Sequence, residues 1–290
     1  MTTLVIRFSS VGDIVLCGAV TGALEPVIFV TNPAYRTLAA ALPGVVKVIC
    51  PPQDELPKQV DKIVDLHSNW RSFSVRRKVK GPVYSIDRHD LRRRFRVWLK
   101  IGKPPPPVIS RYAKAAGVDE VSKEWAMPQT GPNNALAIIP FCRHRTKEWP
   151  LLKYAEIGKR YNGPVLILGS PKEKEKMDPL LHAIGSKARP LAFDGFKEIF
   201  DAMAEIRIAV GGDTGLAHLC AAYHKPVVTL FGPTTKADGF WHDAANTVSV
   251  DLSCRPCSRF GSSNCPMGDH LCMKNITVDE VWRQIEAAIS

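Results

Sequence analysis

The chain has 290 residues, 45% of them hydrophobic and 23% charged, a composition that excludes disordered and fibrous classes. No stretch approaches the roughly 18 uninterrupted apolar residues of a membrane span. The opening Met1-Thr2-Thr3-Leu4-Val5-Ile6-Arg7 lacks the basic region and apolar core of a signal peptide, so neither an integral membrane protein nor a secreted one is expected. Lys and Arg outnumber Asp and Glu by 39 to 28, and the excess is concentrated in residues 1–135, which carry 20 basic and 11 acidic side chains. That half should face a polyanion or an acidic surface.

Short β-branched runs alternate with helical patterns from the start. The periodicity predicts strands over 4–8, 27–30, 45–49, 62–66 and 83–86, with helices after Gly12-Asp13 and around 34–42 and 70–79. The run Lys103-Pro104-Pro105-Pro106-Pro107 reads as a stiff loop, and a short amphipathic segment follows over 109–116. Residues 127–134 are rich in breakers and read as the linker. The alternation then restarts: strands over 135–139, 165–168, 190–192, 207–210 and 227–230, helices over 151–161, 172–184, 196–205 and 215–223. Thr277 and Glu280 form a capping box for a last helix over 278–289. The fold class is α/β, with two consecutive doubly wound domains over 1–130 and 131–290; the last helix is free to pack back on the first.

Several turns at strand ends carry chemistry, and in parallel α/β sheets ligands bind at those ends. Arg7-Phe8-Ser9-Ser10-Val11-Gly12-Asp13 places hydroxyls, Gly12 and the Asp13 carboxylate where a strand gives way to a helix. Asp13 is either a group on a cleft wall or simply the helix cap. Gly211-Gly212-Asp213-Thr214-Gly215-Leu216-Ala217-His218 is again strand, glycine turn and helix; N–H groups at Thr214 and Gly215 suit an anion. Asp213 is awkward beside phosphate, which suggests that it orients the turn or meets a hydroxyl, and His218 lies one turn into the helix. Arg143-His144-Arg145-Thr146-Lys147-Glu148-Trp149-Pro150 offers cations and a hydroxyl for a diphosphate. Phe231-Gly232-Pro233-Thr234 ends another strand. No G-x-G-x-x-G is present, so a dinucleotide oxidoreductase is not indicated.

Two further features stand apart. Arg92, Arg93, Arg94 and Arg96 interleave with Phe95 and Trp98, and Arg71 lies upstream. Such a run suits nucleic acid, an anionic membrane or an ordinary solvated helix face; phosphate-binding turns elsewhere make a phosphorylated lipid or glycan more economical than nucleic acid. Cys254, Cys257, Cys265 and Cys272 fall within 19 residues. The spacing is compatible with a structural Zn or Fe site, with free thiols or disulfides as the alternatives.

The Arg7–Leu16 segment, Thr146-Lys147-Glu148-Trp149-Pro150, and Asp213-Thr214-Gly215-Leu216-Ala217-His218 with the downstream Phe231-Gly232-Pro233-Thr234 resemble glycosyltransferase family 9, whose best-known members are ADP-heptose:lipopolysaccharide heptosyltransferases. The resemblance implies a GT-B fold, two Rossmann-like domains facing across a cleft. It also implies an inverting transfer from a nucleoside diphosphate sugar, ADP-heptose above all, to a phosphorylated lipopolysaccharide core, with no cofactor needed for chemistry. A different nucleotide sugar, a protein acceptor, or a non-catalytic module for anionic lipid or nucleic acid are the rival readings. Residue by residue, the resemblance makes Asp13 the general base and Lys147 the catalytic contact to the diphosphate. Ser10, Gly12, Arg143, Thr146, Asp213, Thr214, Gly215, His218 and Thr234 would line the donor site. Arg71, Arg92, Arg93, Arg94 and Arg96 would meet the acceptor, at a cytoplasmic location peripheral to an anionic inner membrane, with no nucleic-acid partner.

Overall fold

Continuous apolar runs such as Leu4-Val5-Ile6 and Leu136-Ala137-Ile138-Ile139 have no polar face to give to water, so each becomes a strand covered on both sides. The computed structural model describes residues 1–100, 103–119, 121, 124–126, 130–235 and 246–290, and in it these runs nucleate two all-parallel sheets. The chain divides into two compact units. One is Met1–His89 with Pro106–Met127; the other is Asp90–Pro105 with Pro128–Ser290. Part of the expected linker, 127–129, lies outside the described residues.

In the first unit, strands β1 (Thr3–Ile6), β2 (Val27–Val30), β3 (Val45–Ile49), β4 (Lys62–Asp65) and β5 (Val83–Ser85) lie in the order β3-β2-β1-β4-β5. Helices α1 (Val11–Thr21), α2 (Arg36–Ala40) and α3 (Trp70–Arg76) connect them. Leu4, Ile6, Phe8, Val30, Ile63 and Val75 form one buried cluster. Because strand order reverses between β1 and β4, the turns that leave these two strands diverge and open a crevice at their carboxyl ends. Helix α4 (Asp90–Leu99) follows in sequence but packs with the second unit, and α5 (Val108–Ala116) returns to the first.

The second sheet comprises β6 (Ala135–Ile139), β7 (Val165–Gly169), β8 (Ala188–Ala192), β9 (Ile206–Gly212), β10 (Val227–Phe231) and β11 (Thr247–Ser249), in the order β11-β10-β9-β6-β7-β8. Counted from β6 this is the Rossmann order 3-2-1-4-5-6, with its reversal between β6 and β9. Helices α6 (Leu151–Arg160), α7 (Lys174–Ile184), α8 (Phe196–Ala202) and α9 (Gly215–Ala222) cover its faces, and a short α10 (Leu271–Lys274) precedes α11 (Val278–Ile289). The capping box opens α11 as expected, with Thr277 and Glu280 bonding reciprocally. Helix α11 buries Val278, Val281 and Ile285 in the core of the second unit. Strand β11, which sequence periodicity did not flag, is only three residues long.

Candidate active site

Three turns of the second unit converge because their strands are neighbours: β10, β9 and β6 stand side by side. The loop after β6 makes one 3-10 turn, Arg145–Lys147, and is pinned immediately behind Lys147. Trp149 is fully buried and edge-on to Tyr154, with ring centroids 4.9 Å apart, and its indole N–H donates to the Ile276 carbonyl at 3.2 Å. Glu148 accepts the Cys142 N–H at 3.1 Å. Lys147 is thereby directed inward, where its ammonium donates to Asp213 Oδ2 at 2.7 Å and to the Asp213 carbonyl at 3.2 Å. Asp213 directly follows β9, so this ion pair spans the strand-order reversal itself. The pair is buried, 9% and 3% exposed at the two side chains, and His218 Nε2 lies 3.6 Å from the other carboxylate oxygen. The approach is close enough to dictate a glycine: a Cβ at Gly212 would stand 2.7 Å from the Lys147 carbonyl oxygen.

Asp213, which sequence reasoning left with either of two tasks, orients the turn by holding Lys147. Thr214 caps α9, its hydroxyl accepting from the Ala217 N–H at 3.4 Å, and Gly215 is the first residue of that helix. The N-terminal dipole of α9 thus adds partial positive charge beside the lysine. Thr234 is buried, and its hydroxyl has no hydrogen-bond partner among the described residues. Arg143 is exposed on the loop, two residues before the turn.

Sequence reasoning missed what holds these turns in place. Arg255 donates to the carbonyls of Gly232 at 2.6 Å and of Phe231 and Thr234 at 3.0 Å each, and also to that of Val250. The Cys257 N–H donates to the Pro233 carbonyl at 3.1 Å. On the neighbouring loop, Thr146 exchanges hydrogen bonds with the Ser262 backbone, while His270 Nε2 contacts the Thr146 carbonyl. The cysteine-rich segment is a buttress for two of the three turns. Among the described residues no group of three or more His, Cys, Asp or Glu is placed to hold a metal ion. Cys254, Cys257, Cys265 and Cys272 are free thiols. Cys257 Sγ lies 3.9 Å from the Pro233 carbonyl and Cys265 Sγ 3.9 Å from Asp269, and Cys272 is buried in α10. Burial and the neighbouring thiols push Cys272 up to about 11.

The first unit's crevice carries a carboxylate. Asp13 Oδ2 accepts the Ser10 N–H at 3.0 Å and its hydroxyl at 2.8 Å, closing a capping box on α1. Oδ1 pairs with Arg7 at 2.7 Å, and the Tyr112 hydroxyl lies 3.4 Å away. Capping and pairing therefore coexist with 17% side-chain exposure. Burial alone would raise this carboxyl, but the Arg7 charge and the Ser10 hydrogen bonds outweigh it and hold Asp13 below its ordinary value. Gly12 is buried in the first turn of α1. Arg7 also donates to the Leu66 carbonyl beyond β4, tying both sides of the crevice together.

Residues 59–267 match the model of glycosyltransferase family 9 (heptosyltransferase). The chain belongs to glycosyltransferase family 9. It is 26% identical over 147 residues to lipooligosaccharide heptosyltransferase 2 of Campylobacter jejuni, covering 48% of this chain and 45% of that protein. It is 32% identical over 163 residues to lipopolysaccharide heptosyltransferase 2 of Salmonella typhimurium, covering 45% and 47%. The chain thus spans slightly under half the length of the curated relatives it matches. The E. coli ADP-heptose lipopolysaccharide heptosyltransferase II superimposes with a TM-score of 0.71 at 19% identity, over 100% of this chain and 98% of that one. The fold is GT-B, built from two Rossmann-like units.

The basic run lies on α4, beside the buttress. Asp90 pairs with Arg259 at 3.1 Å, Arg96 reaches the Thr235 hydroxyl at 3.4 Å, and Lys100 donates to the Cys254 carbonyl at 2.8 Å. Leu91, Phe95, Trp98 and Leu99 are exposed, as is Arg94; the side chains of Arg92 and Arg93 lie outside the described residues. Arg71 is held elsewhere, in the first unit, with its guanidinium 4.1 Å from the Phe8 ring centroid.

Proposed function

We propose that the chain is an inverting glycosyltransferase that moves a heptose or related sugar from a nucleoside diphosphate sugar, ADP-heptose first among them, to a phosphorylated lipopolysaccharide core. The observation that carries this reading is the buried Lys147–Asp213 pair at the strand-order reversal of a family 9 fold. A lysine fixed there beside the N-terminus of α9 supplies positive charge where a diphosphate leaves. Asp13 serves as the base. As the acceptor oxygen bonds to the anomeric carbon, the carbon–diphosphate bond breaks with its electron pair on the diphosphate, and the acceptor proton passes to Asp13. A carboxylate stabilised by Arg7 takes that proton late, once bond formation has made the hydroxyl acidic. Lys147 and the α9 dipole stabilise the charge developing on the leaving group. No metal or cofactor is assigned a step.

The acceptor and its setting follow from charge and exposed apolar surface. Among the described residues no helix is long and apolar enough to cross a membrane. Helix α4 instead combines Arg94 and Arg96 with exposed Phe95 and Trp98, the composition of a segment that lies in a lipid interface. This supports work at the cytoplasmic face of an anionic membrane, with Arg71 among the acceptor's contacts. The test is a panel of nucleoside diphosphate sugars offered with de-acylated Kdo-lipid A. Transfer from ADP-heptose in preference to the others is expected; transfer from none of them would refute the reading.

A further inference from the structure

The crevice that holds Asp13 contains a second polar group that the transfer chemistry above does not use. The loop after β4 is built round the fully buried Asp65, whose carboxylate accepts the N–H of His67 at 3.0 Å, the N–H of Ser68 at 2.7 Å and the Ser72 hydroxyl at 2.8 Å. These bonds fix the backbone of His67 on the opposite side of the strand-order reversal from the Ser9–Asp13 turn. Its ring stands edge-on to Phe8, with centroids 5.5 Å apart and planes at 80°. Nδ1 is buried without a hydrogen-bond partner, although the residue as a whole is only half-buried. A buried ring nitrogen left unsatisfied is uncommon, and a ring wanted for packing alone could be carbocyclic.

Arg7, Arg88, Asp13 and Asp65 all act electrostatically on this imidazole. Burial first, and then Arg7, lower His67 to about 4, with Arg88 adding to the effect and Asp13 and Asp65 opposing it. The ring is therefore neutral near pH 7, one nitrogen a donor and the other an acceptor. A neutral group is what a base needs beside it, since a cation there would compete with Arg7 for the carboxylate. With Nδ1 sealed inside, Nε2 is the nitrogen left to meet a ligand.

We propose that His67 is a substrate-facing residue of the same reaction, its Nε2 edge hydrogen-bonding a sugar hydroxyl of the acceptor next to the attacking one and so holding the attacking oxygen at Asp13. The inference rests on the transfer reading above. It makes His67 a determinant of acceptor specificity: a polyhydroxylated sugar can use this contact, whereas an acceptor with a single isolated hydroxyl cannot.

The test compares wild type with His67→Ala, His67→Gln and His67→Phe, using ADP-heptose and de-acylated Kdo-lipid A for kinetics and ADP alone for calorimetry. Loss of one neutral hydrogen bond should lower kcat/KM for the acceptor about tenfold in the Ala and Phe variants. ADP affinity should stay within about twofold of wild type in all of them. Phe keeps the ring volume, so it separates lost bonding from lost packing if the Ala variant folds poorly. Gln, a neutral donor and acceptor, should restore most of the loss. Unchanged acceptor kcat/KM in the Phe variant, or an equal fall in ADP affinity, would overturn the inference while leaving wild-type transfer intact. Absence of transfer by the wild type would instead overturn the functional reading, and the inference with it.

Discussion

In the first unit the reversal of strand order, between β1 and β4, holds a carboxylate whose counter-ion Arg7 comes from its own turn. In the second, between β6 and β9, it holds a lysine whose counter-ion Asp213 comes from the opposite strand. Topology is shared; the electrostatic assignment is not. Asp13 keeps 17% of its side chain in solvent and is ionised by arginine and amide contacts, which suits a group that must receive a proton. Lys147 is locked by a buried carboxylate on one side and a buried Trp149 two residues on, which suits a charge that must not move while another develops. The proposed function therefore assigns a proton acceptor to one crevice and an anion clamp to the other, and the difference lies in which strand end supplies the acid.

Substitutions can break that contrast. The largest effect is expected from Asp13→Asn, which keeps the size and the capping geometry but removes the base: turnover should fall by about 10²- to 10⁴-fold in an ADP-release assay. Turnover within threefold of wild type would remove Asp13 from the chemistry. Next come Lys147→Ala and Asp213→Ala. Each removes a buried counter-ion and should lower unfolding stability by about 3–5 kcal/mol in urea titrations. The double substitution should be less destabilised than the sum of the two, because both remove the same ion pair; simple additivity would mean that the pair is not coupled. A smaller effect should appear in the pH dependence of stability. His67 is lowered in the folded chain to about 4, so the unfolded chain binds its proton first, and stability should decline as pH falls from about 6.5 toward 4. His67→Gln should flatten the thermal midpoint across that window relative to wild type; an identical profile would show that the imidazole is not held neutral.

The sheets were legible because their strands are unbroken apolar runs, and the three turns of the second unit were legible because each follows such a run with glycine, hydroxyl or cation. What stayed hidden depends on segments distant in sequence. Nothing local marks Arg255, which reads as a turn residue between two cysteines yet binds four carbonyls over residues 231–250. Asp65 is the exception, a local organiser whose bonds to His67, Ser68 and Ser72 all lie within seven residues, yet which reads only as the end of a strand. The cysteine spacing shows a turn that could close on a metal but not the buttress, whose contacts reach Pro233 and Thr146 across 24 and 124 residues. Helix α4 was legible as a basic amphipathic run, but not as part of the second unit, since that depends on Asp90 meeting Arg259, 169 residues away.

The most direct measurement is calorimetric titration of ADP into wild type, Asp13→Asn and Lys147→Ala at neutral pH. If the second unit clamps the diphosphate and the first supplies only the base, wild type and Asp13→Asn should bind ADP with equal affinity, and Lys147→Ala at least tenfold more weakly. Equal binding by Lys147→Ala, or loss of binding in Asp13→Asn, would contradict that division of labour.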